Sequence, residues 1–162
     1  MSAGAATHPL PDIAQVKDLL GMLFDVLSVK LGPKLDVSPK AASYFGVYVS
    51  DDGTPVALCG CDMAFAANSG AALSMLPPNV AKEAAKDKEL TPVMLANLHE
   101  VMNICTRLML RDDSPHLKLR ELCALNALPP PAAAIIAAPK GRIDFEIGLG
   151  KYGSGVLSVM CL

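Results

Sequence analysis

Charge is present in this chain but gathers nowhere. Fourteen basic and sixteen acidic residues leave a formal charge of −2, and no run of either sign is long enough to follow a nucleic acid backbone or an anionic membrane surface. Nucleic acid is therefore not an expected partner. Long apolar runs are also missing: Gly, Pro, Asn or a charged residue interrupts each one well before the roughly 20 residues that a membrane-spanning helix needs. The opening residues MSAGAATHPLPD have neither a basic start nor an unbroken apolar core, so no signal peptide is expected and the reading is of a cytoplasmic protein without membrane insertion.

Metal and nucleotide signatures are lacking too. His8, His99 and His116 are far apart and form no two-histidine motif, and the five cysteines, Cys59, Cys61, Cys105, Cys123 and Cys161, fit no metal spacing. Their odd number suits reduced, buried thiols in a reducing compartment. Gly148-Leu149-Gly150 and Gly153-Ser154-Gly155 lack the strand-to-helix setting of a phosphate loop and read as turns. No nucleophile elbow surrounds Ser69 or Ser154, so a hydrolase triad has no support.

The chain does contain a core. With 52% hydrophobic residues in 162, it is expected to form one domain, 1–162, burying about two thirds of its unfolded surface. Residues 1 to about 10 are expected to fray. From Asp12 a helical period runs through Ile13, Val16, Leu19, Leu20, Leu23, Leu27 and Leu31, with Asp12 as N-cap and Gly32-Pro33 as the stop, predicting an N-terminal helix over 12–31. A linker over 33–42 precedes a strand from Tyr44 to Val49, and Ser50-Asp51-Asp52-Gly53 makes a hairpin turn.

Pro55 to about Ala66 is read as the next strand, with Cys59 and Cys61 on one face. Asn68-Ser69-Gly70 then reads as a turn and Ala71 to Met75 as a third strand. A single helix over Met63 to Leu76 is the alternative; three helix-disfavouring residues together in its middle weigh against it. A short helix follows over Val80 to Lys86. Leu117 to Leu122 alternates as a short strand, Leu128-Pro129-Pro130-Pro131 reads as an extended crossing, and Ala132 to Ala138 as an edge strand. Arg142 to Leu149 alternates cleanly, and Gly153-Ser154-Gly155 turns it into a last strand, Val156 to Cys161. The expected architecture is α/β of the α+β type: a two-layer fold, with a long, mostly antiparallel sheet, a central helix pair and an N-terminal helix.

The stretch from Leu90 to Leu110 organises this reading. Leu95, Leu98, Met102, Cys105 and Met109 recur at helical spacing, with Val101 and Leu108 widening the stripe. Thr91 is the expected N-cap, Pro92 suits the first helical position, and Asp112-Asp113-Ser114-Pro115 is the stop. The opposite face gathers Ala96, Glu100, Asn103 and Arg107. Glu100 and Asn103, three apart, project the same way. A carboxamide can hold a water by accepting and donating hydrogen bonds while a carboxylate engages a cation, which is water positioning rather than proton abstraction.

The order of elements, and Glu100-Val101-Met102-Asn103 on the central helix, resemble the CheC/CheX/FliY family of bacterial chemotaxis phosphatases, nearest its single-motif CheX-like branch. The resemblance covers about Tyr44 to Leu162. It implies a CheX/CheC-like fold that would retain the strands over 55–75 and pair the helices Val80–Lys86 and Pro92–Leu110.

It further implies a phosphorylated response regulator, CheY-like, as partner and substrate, in chemotaxis or other two-component signalling. Asn103 would place the attacking water in line with phosphorus, and Glu100 would pair with a lysine beside the phosphorylated aspartate. Mg2+ would sit on the regulator, leaving this chain with no cofactor of its own. His99 is an expected rim contact. Two positions depart from the family pattern: Ala96 stands where an Asp or Ser is frequent, and Arg107 where a small residue is frequent. A catalytically inactive binding or scaffold protein is therefore the alternative to a phosphatase. Apolar strands and exposed apolar surface lead to the expectation of a homodimer.

Overall fold

The structure is a computed structural model that describes residues 8–25 and 28–162. In chain order its elements are α1 (Ile13–Leu20), β1 (Ser28–Leu31), β2 (Tyr44–Val49), β3 (Pro55–Cys61), α2 (Met63–Leu73), α3 (Pro78–Asp87), α4 (Pro92–Ile104), β4 (Lys118–Ala124), α5 (Pro130–Ala137), β5 (Gly141–Gly148) and β6 (Ser154–Cys161). The strands form one sheet in the order β1-β5-β6-β3-β2-β4, antiparallel at every pairing. This is the two-layer α/β fold that the sequence predicts, with an antiparallel sheet, a central helix pair and an N-terminal helix, but the pair is α2 with α4, and α3 packs on α2 instead of pairing with α4 as expected of Val80–Lys86 and Pro92–Leu110.

Alternation along the strands divides the core. Tyr48, Cys59, Cys61, Phe145, Ile147, Leu157 and Val159 point to the face covered by α1, α2 and α4, where they pack against Val16, Leu20, Leu98, Val101 and Met102. Phe45, Val47, Leu58 and Met160 point to the other face, where Leu35 and the α5 residues Ala132 and Ile135 cover them. Each fully buried large side chain of this kind contributes about 1.5–3 kcal/mol.

Several expectations are corrected. The N-terminal helix has the predicted cap, since Asp12 Oδ1 accepts from the Gln15 N–H at 2.8 Å and Gln15 Oε1 accepts from the Asp12 N–H at 2.9 Å. It stops at Leu20, however, and Ser28–Leu31 is a strand paired with β5. The free edge of β5 offers backbone donors and acceptors that these residues satisfy, and the bare Gly148 leaves room for Ser28 opposite it. Leu27, part of the expected helix, lies outside the described residues, as do residues 1–7 of the expected frayed start. His8 and Leu10 do not fray: His8 is 8% exposed with Nδ1 3.1 Å from the Met109 carbonyl, and Leu10 packs on the core.

The third strand does not form, and the strand from Pro55 ends at Cys61. Met63–Leu73 is helical throughout, with Asp62 Oδ1 capping it by accepting from the Phe65 N–H at 2.8 Å and holding β6 through the Val156 N–H at 3.0 Å. Tertiary contacts outweigh the poor propensity of Asn68-Ser69-Gly70. The Ser69 hydroxyl donates to the Phe65 carbonyl at 2.7 Å, and a Cβ on Gly70 would sit 2.8 Å from the Met94 carbonyl oxygen. Glycine is what allows α2 and α4 to cross this closely. Lastly, the expected edge strand over 132–138 is α5. Pro130 and Pro131 fill its first turn, where a missing N–H costs nothing, and Ala132 and Ile135, three apart, bury onto the sheet.

One ion pair anchors the connection between β1 and β2 over the second face. Arg142 donates to both Asp144 carboxylate oxygens at 3.1 Å and to the Leu35 carbonyl at 3.3 Å, while the Leu35 N–H donates to Asp144 Oδ1 at 3.0 Å. Burial would raise the Asp144 pKa, but hydrogen bonds from Arg142 and the Leu35 amide outweigh it and hold the carboxyl below its usual range.

Two predictions follow from these contacts. Gly70→Val should force the helix crossing apart and lower stability by about 1–3 kcal/mol, read as a reduced urea midpoint. A depressed folded-state pKa means that Asp144 stabilises above its unfolded pKa of about 3.9 and that this is lost as pH falls through the folded value. Asp144→Asn should therefore cost about 1–3 kcal/mol at pH 7 and progressively less below pH 4, measured by thermal unfolding across that range.

Candidate functional site

Helix α4 begins as the sequence requires. The Thr91 hydroxyl accepts from the Met94 N–H at 3.2 Å, and Pro92 stands in the first turn. Met94, Leu98, Val101, Met102 and Cys105 are fully buried. On one flank, Asn97 Nδ2 donates to the Gly70 carbonyl at 2.8 Å and to the Ser74 hydroxyl at 2.7 Å, tying α4 to α2. Underneath, the Tyr48 hydroxyl on β2 donates to the Met102 carbonyl at 2.5 Å. A helix held on these sides keeps one free face, and Ala96, His99, Glu100, Asn103 and Arg107 all lie exposed.

The apolar stripe differs from expectation at Leu95, which is 41% exposed and borders the free face rather than the core. The helix is also shorter than expected. α-Helical winding ends at Ile104, and Cys105–Met109 continues as a 3-10 turn. Three residues per turn instead of 3.6 swing Arg107 away from a position directly above Asn103.

Among the described residues Arg107 makes no ion pair with Glu100, so it does not neutralise the carboxylate. Arg107 instead lines an open furrow of about 680 Å³, together with Asp18 and Leu19 of α1, Met22 in the turn after it, and the chain from Leu110 to Asp113. Arg111 closes one end, with Nη2 donating to Gln15 Oε1 at 3.1 Å. The contribution of α1 to this neighbourhood was not visible in the sequence, because about ninety residues separate the two sides and no motif links them.

The rest of the chain offers little competing chemistry. All five cysteines are unbridged. Cys59 and Cys61 share one face as predicted, and with Cys161 they lie in the helix-side core; burial pushes the Cys123 and Cys161 thiols up to about 11, so both stay protonated near neutrality. No group of three or more His, Cys, Asp or Glu among the described residues could hold a metal ion. No helix among them is long and apolar enough to cross a membrane.

No protein-family model matches the sequence, and no curated protein matches it. Solved structures do share its fold. FliM in the FliM–SpeE complex from H. pylori aligns with a TM-score of 0.56 at 10% identity, covering 92% of this chain and 78% of that one. The FliM middle domain from Vibrio alginolyticus gives 0.54 at 11%, covering 91% and 84%. The CheX–CheY–BeF3–Mg2+ complex from Borrelia burgdorferi gives 0.52 at 15%, covering 93% of this chain and 97% of the matched chain. What these likenesses define is a fold shared with FliM and CheX structures. Identities of 10–15% show that fold alone and do not select a branch.

Because Glu100 and Asn103 are exposed and make no side-chain hydrogen bond or ion pair among the described residues, removing both should leave the fold intact. The double variant Glu100→Ala, Asn103→Ala should match wild type within about 0.5 kcal/mol in urea unfolding. A larger loss would show that the pair has a structural duty.

Proposed function

We propose that this chain is a CheX-like aspartyl-phosphate phosphatase that acts on a phosphorylated response regulator. The observation that carries the reading is the presentation of Glu100 and Asn103, three residues apart, on the free face of a helix otherwise enclosed by α2 and the sheet. The fold, which also occurs in a CheX structure bound to CheY carrying BeF3 and Mg2+, supports it; BeF3 is a mimic of a phosphoryl group.

In the proposed reaction α4 is laid against the phosphorylation site of the regulator. Glu100 pairs with a lysine beside the phosphoaspartate and sets the register. The Asn103 carboxamide accepts one hydrogen bond from a water and donates another to it, holding the oxygen in line with phosphorus. That water attacks, the bond between phosphorus and the aspartyl oxygen breaks, and inorganic phosphate and the free carboxylate result. Mg2+ held by the regulator neutralises charge on the transferring group. The rate gain comes from orientation rather than from a strong base. His99 contacts the regulator at the rim, Ala96 provides clearance, and Arg107, swung toward the furrow, meets the regulator beyond the reacting atoms. The protein works as a single domain in the cytoplasm, as a homodimer.

A second reading, binding without hydrolysis, has two supports: Arg107 in place of the small residue frequent in the family, and likeness to FliM, solved in complex with SpeE. The two readings separate in one assay. Phosphorylated regulators should lose phosphate about 10- to 100-fold faster with wild type than alone; Asn103→Ala should abolish the gain while still binding, and Glu100→Ala should weaken binding. Tight binding with no change in rate assigns the scaffold role. Neither binding nor acceleration removes both.

A further inference from the structure

Tyr48 is a polar residue where packing alone requires none. It lies near the end of β2, one residue before Val49, with no exposed surface, and a phenylalanine would fill almost the same volume. Its hydroxyl is committed to a single acceptor, the Met102 carbonyl, at 2.5 Å. Burial pushes its pKa well above the ordinary tyrosine value, so it remains a donor throughout the working range.

That acceptor sits at a special place. Within an α-helix the Met102 carbonyl would receive the N–H of Thr106, but the α-helix ends at Ile104 and Thr106 belongs to the 3-10 segment. Tyr48 therefore grips the helix at the point where its winding changes, by the carbonyl of the residue directly before Asn103. Gly46, two residues earlier on the same sheet face, keeps the space open: a Cβ there would come within 3.2 Å of the Tyr48 hydroxyl and 3.3 Å of the Met102 Cβ.

We propose that Tyr48 is a positioning residue for the site on α4, fixing the roll of the junction between α and 3-10 winding so that the Asn103 carboxamide is presented at one angle. This rests on the reading above in which Asn103 orients a water. It adds that the sheet beneath the helix is part of the reactive geometry, since a side chain that must hold a water in line tolerates only about 0.5 Å of play. Tyr48 touches neither water nor phosphate; it acts through the backbone.

The test combines kinetics with a resonance measurement on the full chain. Tyr48→Phe should bind the regulator with unchanged KM and lose about 10- to 100-fold in kcat. Gly46→Ala, which crowds the same contact while retaining the tyrosine, should show the same split. Loss through KM alone, or wild-type kcat in both variants, overturns the proposal. A second readout does not depend on hydrolysis. In Tyr48→Phe the side-chain amide signals of Asn103 should shift or broaden, while those of Asn97, anchored to Gly70 and Ser74 on the same helix, stay in place. Should wild type prove inactive, the phosphatase reading fails on its own account. Asn103 signals then decide: unchanged signals reject the positioning role, and selective change sustains it for a binding site.

Discussion

The structure depends on how closely helix α4 is allowed to approach its two supports. At Gly70 the backbone of α2 runs against the Met94 segment with no space for even a methyl group, and at Gly46 the sheet comes up under Met102 with little more. These bare positions let Met94, Leu98, Val101 and Met102 sink completely. Burial of four large side chains, at about 1.5–3 kcal/mol each, fixes the roll of the helix about its own axis. The direction of every outward residue is then determined. Glu100 and Asn103 point to solvent because the opposite side has nowhere else to go.

The same constraint explains the change of winding after Ile104. A straight α-helix to Leu110 would carry the apolar residues around the axis in steps of 3.6. Leu108 and Met109 are both buried, and the tighter 3-10 turn brings these neighbours down together beside α1. One consequence is a Met102 carbonyl that accepts from a sheet tyrosine. Another is the displacement of Arg107 from the face it would share with Asn103 in an unbroken helix. The residue that departs in sequence from the small one frequent in the family lines the furrow with Asp18 and Met22.

Elements governed by local rules were legible in the sequence. The Tyr44–Val49 strand, the turn at Gly53 with its φ of 84°, the caps at Asp12 and Thr91, and the alternating Arg142–Leu149 strand follow from short-range chemistry, and so does the outward stripe of α4. What could not be read depends on partners distant in sequence. Asn68-Ser69-Gly70 has the composition of a turn and becomes helix because Met94 lies against it. Ser28–Leu31 continues a helical period and becomes a strand because β5, more than a hundred residues later, has an edge to fill. Ala132–Ala137 is apolar enough for either state, and the register of Ala132 and Ile135 on the sheet decides. Tyr48 looks like any core aromatic in a strand until Met102 is placed above it.

Likeness at 10–15% identity to both FliM and CheX structures is what this arrangement should produce. Sheet alternation, a glycine at a helix crossing and an apolar stripe on the central helix can be met by many sequences, so the fold survives extensive replacement. Those requirements place no demand on the exposed face of α4, where substitution costs almost no stability. A scaffold protein and a phosphatase can therefore share the whole architecture and differ in a few outward side chains. In this chain that face carries a carboxylate and a carboxamide one turn apart, with the following arginine turned aside by the change in winding. The fold supplies the presentation, and under the proposed reading these three side chains are what separates the two roles.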